Sequence, residues 1–185
     1  MKQRKFKIVR IETERLLLRL ITMKDAANIF AYASDPKVTQ YVRFVTHKNI
    51  SDSRAFIRRV RASYKKGIDP VWGIELNASG QIIGTIGFLD WPNDNRRAEL
   101  GYALNRKYWG QGLVTEAASA LCDFAFWKMK LNRIEAGTIV GHTASQRVLE
   151  KCGFRLEGVL RQREIIKGRV VDVTMYSLLR QDYSK

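Results

Sequence analysis

The spacing of apolar residues changes along the chain, and each change of period predicts a new element of secondary structure. Alternating leucines in residues 14–20 predict a strand. A Thr-x-x-Asp pattern that resembles a capping box opens residues 22–33, which predict a helix. Residues 51–66 carry apolar side chains at helical spacing and predict a second helix, with Ser51 as its cap and Gly67 at its end.

The middle of the chain predicts three consecutive strands followed by a helix. Residues 71–76 and 81–89 are joined by Asn-Ala-Ser-Gly, a typical hairpin turn. A loop at 91–95 leads into the fourth predicted strand, residues 97–104. Apolar side chains then recur at helical spacing and predict a long helix over residues 113–130.

The last third of the chain predicts three strands and one helix. A strand over residues 133–140 is followed by a helix over 143–151, which a glycine ends. Residues 154–160 and 170–179 predict two further strands, with a Lys-Gly turn between them. Hairpins therefore surround one strand–helix–strand unit, which predicts an α+β fold with helices packed on one mixed sheet.

The length of 185 residues suits one compact domain over 1–185, with a core from about 12 to 183 and a basic arm at 1–11. The arm is a solvated tail, an added edge strand or a contact to RNA. No apolar run reaches the roughly 20 residues that a membrane-spanning helix needs, and charged residues interrupt any signal-peptide core after the arm. We therefore expect a cytoplasmic protein without a membrane partner.

The net charge of +15 favours an anionic partner such as a nucleotide phosphate, nucleic acid or ribosome. Basic side chains spread evenly over the surface would give the same total. Cys122 and Cys152 lie in apolar stretches, so we expect no disulfide. The two cysteines and two histidines are not spaced as metal ligands, and we expect no metal site. An acyl-cysteine intermediate is disfavoured, because burial raises the pKa of a thiol.

The junction between the fourth strand and the long helix has the most specific pattern, KYWGQG at residues 107–112. Backbone N–H groups in the first turn of a helix lack intrahelical partners and favour an anion. Gly110 and Gly112 would let the backbone approach a pyrophosphate closely, and Lys107 would add positive charge. A tight turn also needs glycine, so the glycines alone do not distinguish a turn from a phosphate site.

This segment resembles the acyl-CoA-binding motif of the GNAT N-acetyltransferase superfamily, Q/R-x-x-G-x-G/A, with Lys107 in the first position. Four more segments resemble the family in the right order: ETERLLLR, ELGYAL, ASQRVLEKCGF and DVTMYSLLRQDY. They look like the branch that contains the ribosomal-protein N-terminal (alanine/serine) acetyltransferases. The resemblance covers about residues 12–183.

The resemblance implies a GNAT-type fold, in which one mixed, mostly antiparallel sheet of about seven strands is splayed between strands 4 and 5 and flanked by about four helices. It also implies acetyl-CoA as the co-substrate and backbone N–H groups around residues 102–104 as the oxyanion site. The residues implied to bind acetyl-CoA are Tyr102, Ala103, Leu104, Lys107, Gly110, Gln111, Gly112, Leu113, Val114, His142 and Ser145.

Glu99 is the candidate general base, because the family often has a catalytic Glu near this position of the fourth strand. Alternation places it on the same strand face as Gly101. The alternative is an ordinary strand carboxylate paired with Arg96 or Arg97. Glu164 and Asp172 are weaker candidates, and Asp172 could instead be structural in the C-terminal hairpin.

Ser145 is the candidate donor to the leaving thiolate, as proposed for the ribosomal-protein branch. Many relatives use a tyrosine one turn later, where this chain has Leu149. Ser145 could also be merely polar near a helix start. The family often has Asn where this chain has His142, which could contact the pantetheine arm, titrate near neutral pH or lie in a solvent-facing loop.

These expectations favour acetyl transfer from acetyl-CoA to a primary amine, such as the N-terminal α-amine of a ribosomal protein, with the ribosome as a partner. The alternatives are a small acceptor (a polyamine, an amino acid or an aminoglycoside) and a non-catalytic acyl-CoA-binding regulator. An RNA-binding module is disfavoured, because the sequence lacks the aromatic signatures of known RNA-binding folds. Loops at 34–52 and 160–170 would select the acceptor, and Tyr41, Phe44 and Trp91 line the pocket or belong to the core. The oligomeric state stays open.

Overall fold

The computed structural model describes residues 7–183, which form one eight-stranded sheet with helices packed against it. The strands are β1 (Ile11–Glu12), β2 (Leu16–Arg19), β3 (Val71–Leu76), β4 (Gln81–Leu89), β5 (Arg97–Leu104), β6 (Arg133–Ile139), β7 (Arg155–Ile166) and β8 (Arg169–Leu179). The helices are α1 (Ala26–Ala33), α2 (Pro36–Thr39), α3 (Ile50–Lys66), α4 (Leu113–Trp127) and α5 (Thr143–Lys151). None of these helices is long and apolar enough to cross a membrane.

The predicted mixed, mostly antiparallel sheet is confirmed. The strand order is β1-β2-β3-β4-β5-β6-β8-β7, and only the β5–β6 pair is parallel. The sheet has eight strands instead of about seven, because Ile11 and Glu12 pair with Leu18 and Leu17. Of the basic arm, only Ile11 belongs to this edge strand; residues 7–10 lie outside it, and residues 1–6 lie outside the described part of the chain.

The predicted splay lies between β5 and β6, the fourth and fifth strands of the sequence prediction. The two strands pair only from Arg97 opposite Arg133 to Glu99 opposite Glu135. Beyond that point β5 stays paired with β4 up to Leu104, while β6 follows β8. Each strand therefore keeps its antiparallel neighbour, and a cleft opens between them.

Alternation along the strands separates two hydrophobic clusters, one on each face of the sheet. Ile83 belongs to the larger cluster, in which α4 and α5 bury their apolar sides, and the neighbouring Ile82 belongs to the other. The second cluster contains the buried faces of α1 and α3, including Ile29 and Ile57. The two layers of helices hold the sheet between them, including β5 beside the cleft.

Three helix boundaries differ from the prediction, and the first is the start of α1 at Ala26, after a 3-10 turn over Met23–Asp25. Asn49, not Ser51, caps α3, because its side chain accepts a hydrogen bond from Ser51 N at 3.0 Å and the Asp52 carboxylate accepts one from Asn49 N at 3.2 Å. Gly67 ends this helix in a left-handed conformation, as predicted. Helix α4 ends at Trp127, three residues before the predicted end.

The C-terminal hairpin is longer than predicted. Strand β7 continues from Arg155 to Ile166 and pairs with β8 up to the turn at residues 167–168. Its irregular register between Leu160 and Glu164 breaks the alternation on which a strand prediction relies. The extension carries Glu164 to the β5–β6 cleft.

We expect Gly84→Ala to destabilise the sheet. A Cβ at Gly84 would collide with the carbonyl oxygen of Ala103 and approach the Leu104 Cα to 3.1 Å. Both neighbours are backbone atoms and cannot turn away, so we expect a loss of about 1–3 kcal/mol in the free energy of unfolding, measured by denaturant titration. Gly101→Ala on the facing strand is the control, because its Cβ would meet nothing within 4 Å. Equal stability of both variants would contradict this expectation.

Candidate active site

The loop after β5 is held tightly to the end of its strand. The Asn105 side chain accepts a hydrogen bond from Lys107 N at 3.1 Å and starts one 3-10 turn over Arg106–Tyr108. Trp109 Nε1 donates to the Leu104 carbonyl at 2.8 Å, while about half of the indole is exposed. Trp109 and Tyr108, which packs against the main hydrophobic core, therefore brace the loop, and Lys107 is exposed at the surface.

Gly110 and Gly112 both have a φ of 75°, and Gly112 lies directly before α4. No side chain caps α4, so the N–H groups of its first turn are open to a ligand. A Cβ at Gly110 would meet nothing within 4 Å, which leaves space beside the backbone. The open amides and this space fit a pyrophosphate, with the positive end of the α4 dipole directed at it.

Arg15 supports this loop from the first hairpin, and the sequence prediction missed it. Its Nη1 donates to the Gln111 carbonyl at 3.0 Å, and its Nε donates to Glu116 Oε2 in α4 at 2.7 Å. Glu116 also accepts a hydrogen bond from Thr13 Oγ1 at 2.6 Å. These partners are about 100 residues apart in the chain, so no local pattern could have revealed them.

The splay forms a cleft of about 310 Å³ that several of the predicted site residues line. Strands β5 and β6 form its walls, α5 lies at one end, and the α2–α3 loop and β7 close the other. The predicted residues that line this cleft are Glu99, Tyr102, Ala103, His142, Ser145, Glu164, Tyr41 and Phe44. Trp91 instead packs against the main hydrophobic core.

Glu99 faces the cleft with about a quarter of its side chain exposed and is paired with Arg43, whose Nη2 lies 2.7 Å from its Oε1. The proposed alternative partners, Arg96 and Arg97, are therefore wrong. Arg97 pairs with Asp90 and Glu135 instead. Burial raises the pKa of Glu99 above its ordinary value, although Arg43 acts in the opposite direction.

The same guanidinium also holds Glu164. Arg43 Nε donates to Glu164 Oε2 at 2.9 Å, and Nη2 contacts Oε1 of the same carboxylate. The hydrogen bonds from Arg43 lower the pKa of Glu164, so this group stays ionised. Asp172 does not line the cleft, and its Oδ1 accepts a hydrogen bond from Gln162 N at 2.7 Å within the hairpin, which favours the structural alternative.

Ser145 and Tyr102 form a hydroxyl pair at the α5 end of the cleft. Ser145 is buried, and its Oγ lies 2.8 Å from the Tyr102 hydroxyl, which also lies 3.3 Å from the Ser145 carbonyl oxygen. Burial raises the pKa of Tyr102, so the phenol keeps its proton. The sequence prediction assigned only the backbone of Tyr102 and missed this side chain, whose partner is 43 residues away.

His142 lies at the start of α5 and stacks on Tyr41, with ring centroids 4.3 Å apart and an interplanar angle of 13°. Burial lowers the pKa of His142, which favours the neutral imidazole. Of the three alternatives for this residue, the solvent-facing loop is therefore wrong. The stack joins the α2–α3 loop to the cleft.

The cysteines offer no activated nucleophile. Cys122 is fully buried in α4, and Cys152 is buried at the end of α5. Burial raises the pKa of both thiols, which disfavours the reactive thiolate. Among the described residues, no group of three or more His, Cys, Asp or Glu side chains could hold a metal ion.

Comparison with known proteins identifies relatives over most of the chain. Residues 15–155 match the family model described as Acetyltransferase (GNAT) domain. The uncharacterized N-acetyltransferase p20 of Bacillus licheniformis is 38% identical over 93% of this chain and 97% of that protein. The [Ribosomal protein uS5]-alanine N-acetyltransferase of Escherichia coli is 26% identical over 95% of this chain and 93% of its own length.

A solved structure of a similar protein has the same fold. The microcin C7 self immunity acetyltransferase MccE, solved in complex with acetyl-CoA and AMP, superimposes with a TM-score of 0.80. It is 26% identical and covers 90% of this chain, which in turn covers 93% of that structure.

Proposed function

Because this chain belongs to the GNAT acetyltransferase family and is therefore an acetyltransferase, we propose that it moves an acetyl group from acetyl-CoA directly to a primary amine. One observation carries the proposal. Strand β5 places Glu99 at the point where β5 and β6 separate. The strand ends at Leu104, directly before the loop that leads to the open backbone amides of α4. A donor bound by the loop and an amine beside Glu99 would then share one cleft.

The open amides after Gly110, together with Lys107, would bind the pyrophosphate of acetyl-CoA. The acetyl-CoA complex of the similar MccE supports this assignment. When bound, acetyl-CoA supplies the thioester whose acetyl group is transferred. Burial of the pantetheine arm between β5 and β6 would direct that end toward Glu99, because these strands are not paired there.

Glu99 would remove the proton that prevents the acceptor amine from attacking. At pH 7 this deprotonation costs roughly 1 kcal/mol for an α-amine with a pKa near 8, and about 4.6 kcal/mol for a lysine. A single carboxylate with a raised pKa is suited to the smaller of these two free-energy costs, the deprotonation of an α-amine. The site therefore favours an α-amine over a lysine side chain.

Two groups of donors would stabilise the charges that develop during transfer. Beyond Glu99, alternate backbone N–H groups of β5 face the cleft and would donate to the carbonyl oxygen of the acetyl group. The Ser145–Tyr102 pair would donate to the sulfur, and Tyr102 can do so because its phenol is protonated. A thiol leaves fairly well near neutral pH, so a hydrogen-bond donor is sufficient.

The acceptor we propose is the N-terminal α-amine of a protein, and a ribosomal protein is the leading candidate. The similarity to the alanine N-acetyltransferase for protein uS5 supports this class. The net charge of +15 also suits approach to an RNA-rich particle. Small amines remain the second class of acceptor.

A turnover screen tests the proposal. We expect release of free CoA thiol from acetyl-CoA in the presence of N-terminal peptides, with weaker activity on polyamines and aminoglycosides. Binding of acetyl-CoA by calorimetry without turnover on any amine would instead identify an acyl-CoA-binding regulator. Absence of binding at millimolar acetyl-CoA would overturn the proposal.

A further inference from the structure

The geometry points to Arg43 as an internal competitor of the acceptor amine. Its guanidinium occupies the Glu99 carboxylate, and the acceptor displaces it from Glu99 before the reaction. This inference rests on the proposed function, because it concerns the acceptor end of the same cleft. It assigns a role to Arg43 and Glu164, and it defines the acceptor as an amine without a neighbouring carboxylate.

The position of the guanidinium is the first evidence. Arg43 Nη2 lies 2.7 Å from Glu99 Oε1, which is the distance that a charged donor adopts on a carboxylate. An acceptor ammonium that passes its proton to Glu99 directly makes a contact of the same kind with this carboxylate. The two cations therefore compete for the same carboxylate.

The second evidence is that Arg43 can leave Glu99 and remain bound elsewhere. Its Nε and Nη2 both contact Glu164, whereas only Nη2 contacts Glu99. The side chain is 45% exposed and lies on the loop between α2 and α3. A small rotation about the Glu164 pair would open the Glu99 oxygen.

A second contact across the cleft holds the same segment of the chain against the C-terminal hairpin. Besides the Arg43–Glu164 pair, Lys167 Nζ of the β7–β8 turn donates to the Thr39 carbonyl at the end of α2. The loop that carries Arg43 and the end of α2 before it are thus each linked to the C-terminal hairpin. Glu164 acts as the holding site to which the guanidinium withdraws.

The charge of the cleft defines the acceptor. Its charged lining residues are Glu99, Glu164 and Arg43, and burial favours the neutral form of His142. The cleft thus carries one excess negative charge in a chain whose net charge is +15. This arrangement attracts an ammonium and repels a carboxylate beside it, which disfavours free amino acids and peptides with an acidic second residue.

Two variants that break the same ion pair should change the KM for the acceptor in opposite directions. Arg43→Gln removes the competitor, and we expect the KM of a peptide amine to fall about fivefold, equivalent to ~1 kcal/mol. Glu164→Gln removes the holding site and leaves the guanidinium on Glu99, so the KM should rise by a similar factor. A purely structural brace would shift both variants in the same direction. The KM values are measured above the acidic limb of each variant, because Arg43 also lowers the pKa of Glu99.

A matched control and a matched substrate pair complete the test. Glu157→Gln removes a carboxylate from an ion pair with Arg133 outside the cleft and should leave the KM unchanged. For wild type we expect a higher KM for a peptide with Asp at its second position than for the same peptide with Asn, and Glu164→Gln should narrow this gap. Shifts of the same sign, or no Asp/Asn difference, would overturn this inference alone. If the wild-type protein turns over none of the amines tested, the proposed function is refuted as well.

Discussion

Replacement of Glu99 by Gln is expected to lower kcat/KM at neutral pH by about 100- to 10,000-fold, the usual contribution of a positioned general base. The amide keeps the size of the side chain but cannot accept the proton of the acceptor. Burial raises the pKa of Glu99, so wild-type activity should fall as the pH drops through this raised value. The variant should lack this acidic limb and recover part of its rate at high pH, where the amine loses its proton unaided. Initial rates of CoA release across a pH series measure both effects.

Glu135→Gln is the matched control for this experiment. Glu135 lies directly opposite Glu99 in the β5–β6 register and has a similar exposure, but it pairs with Arg97 and Arg133 and does not line the cleft. Its loss should change thermal stability more than catalysis. An unchanged pH profile for Glu99→Gln, with thermal stability intact, would exclude Glu99 as the base.

Gly110→Val is expected to weaken the binding of CoA by at least about tenfold, which corresponds to ~1.4 kcal/mol. The left-handed φ of 75° disfavours a β-branched residue, and the new side chain would fill the open space beside the backbone amides. The backbone could then no longer approach a pyrophosphate. Isothermal titration with CoA measures this loss directly and does not depend on knowledge of the acceptor.

Gly80→Val separates ligand binding from backbone strain. Gly80 also has a positive φ, 65°, and no atom within 4 Å of an added Cβ, but it lies in the β3–β4 turn. Both variants should lose similar free energy of unfolding, on the order of 1–2 kcal/mol. Only Gly110→Val should lose CoA affinity. Equal affinity for CoA in the two variants would exclude the glycine loop as the pyrophosphate site.

Local patterns predicted most of the secondary structure, because each element depends on its own neighbours in the chain. The errors occur where tertiary contacts outweigh the local signal. Strand β1 is only two residues long and exists because β2 offers it an edge. The cap of α3 was misplaced by two residues, since Asn and Ser are both good caps and only the backbone geometry selects Asn49.

Candidate site residues were predictable where they belong to a continuous motif, such as the glycine loop, or to a strand next to it, such as Glu99. Their roles remain predictions until the experiments above are done. Arg15, Arg43 and the phenol of Tyr102 were not predictable as site residues, because each acts on a partner at least 43 residues away.

Local sequence patterns specify the order of the elements, the alternation that divides the sheet into two faces and the backbone freedom of the loop at residues 110–112. These properties follow from the chemistry of neighbouring residues. The separation of β5 and β6 after Glu99 depends instead on long-range contacts, as does the meeting of Arg43 and Glu164 with that residue across the cleft. Ion pairs between distant segments depend on how the chain folds back on itself, and this leaves no periodic trace in the sequence.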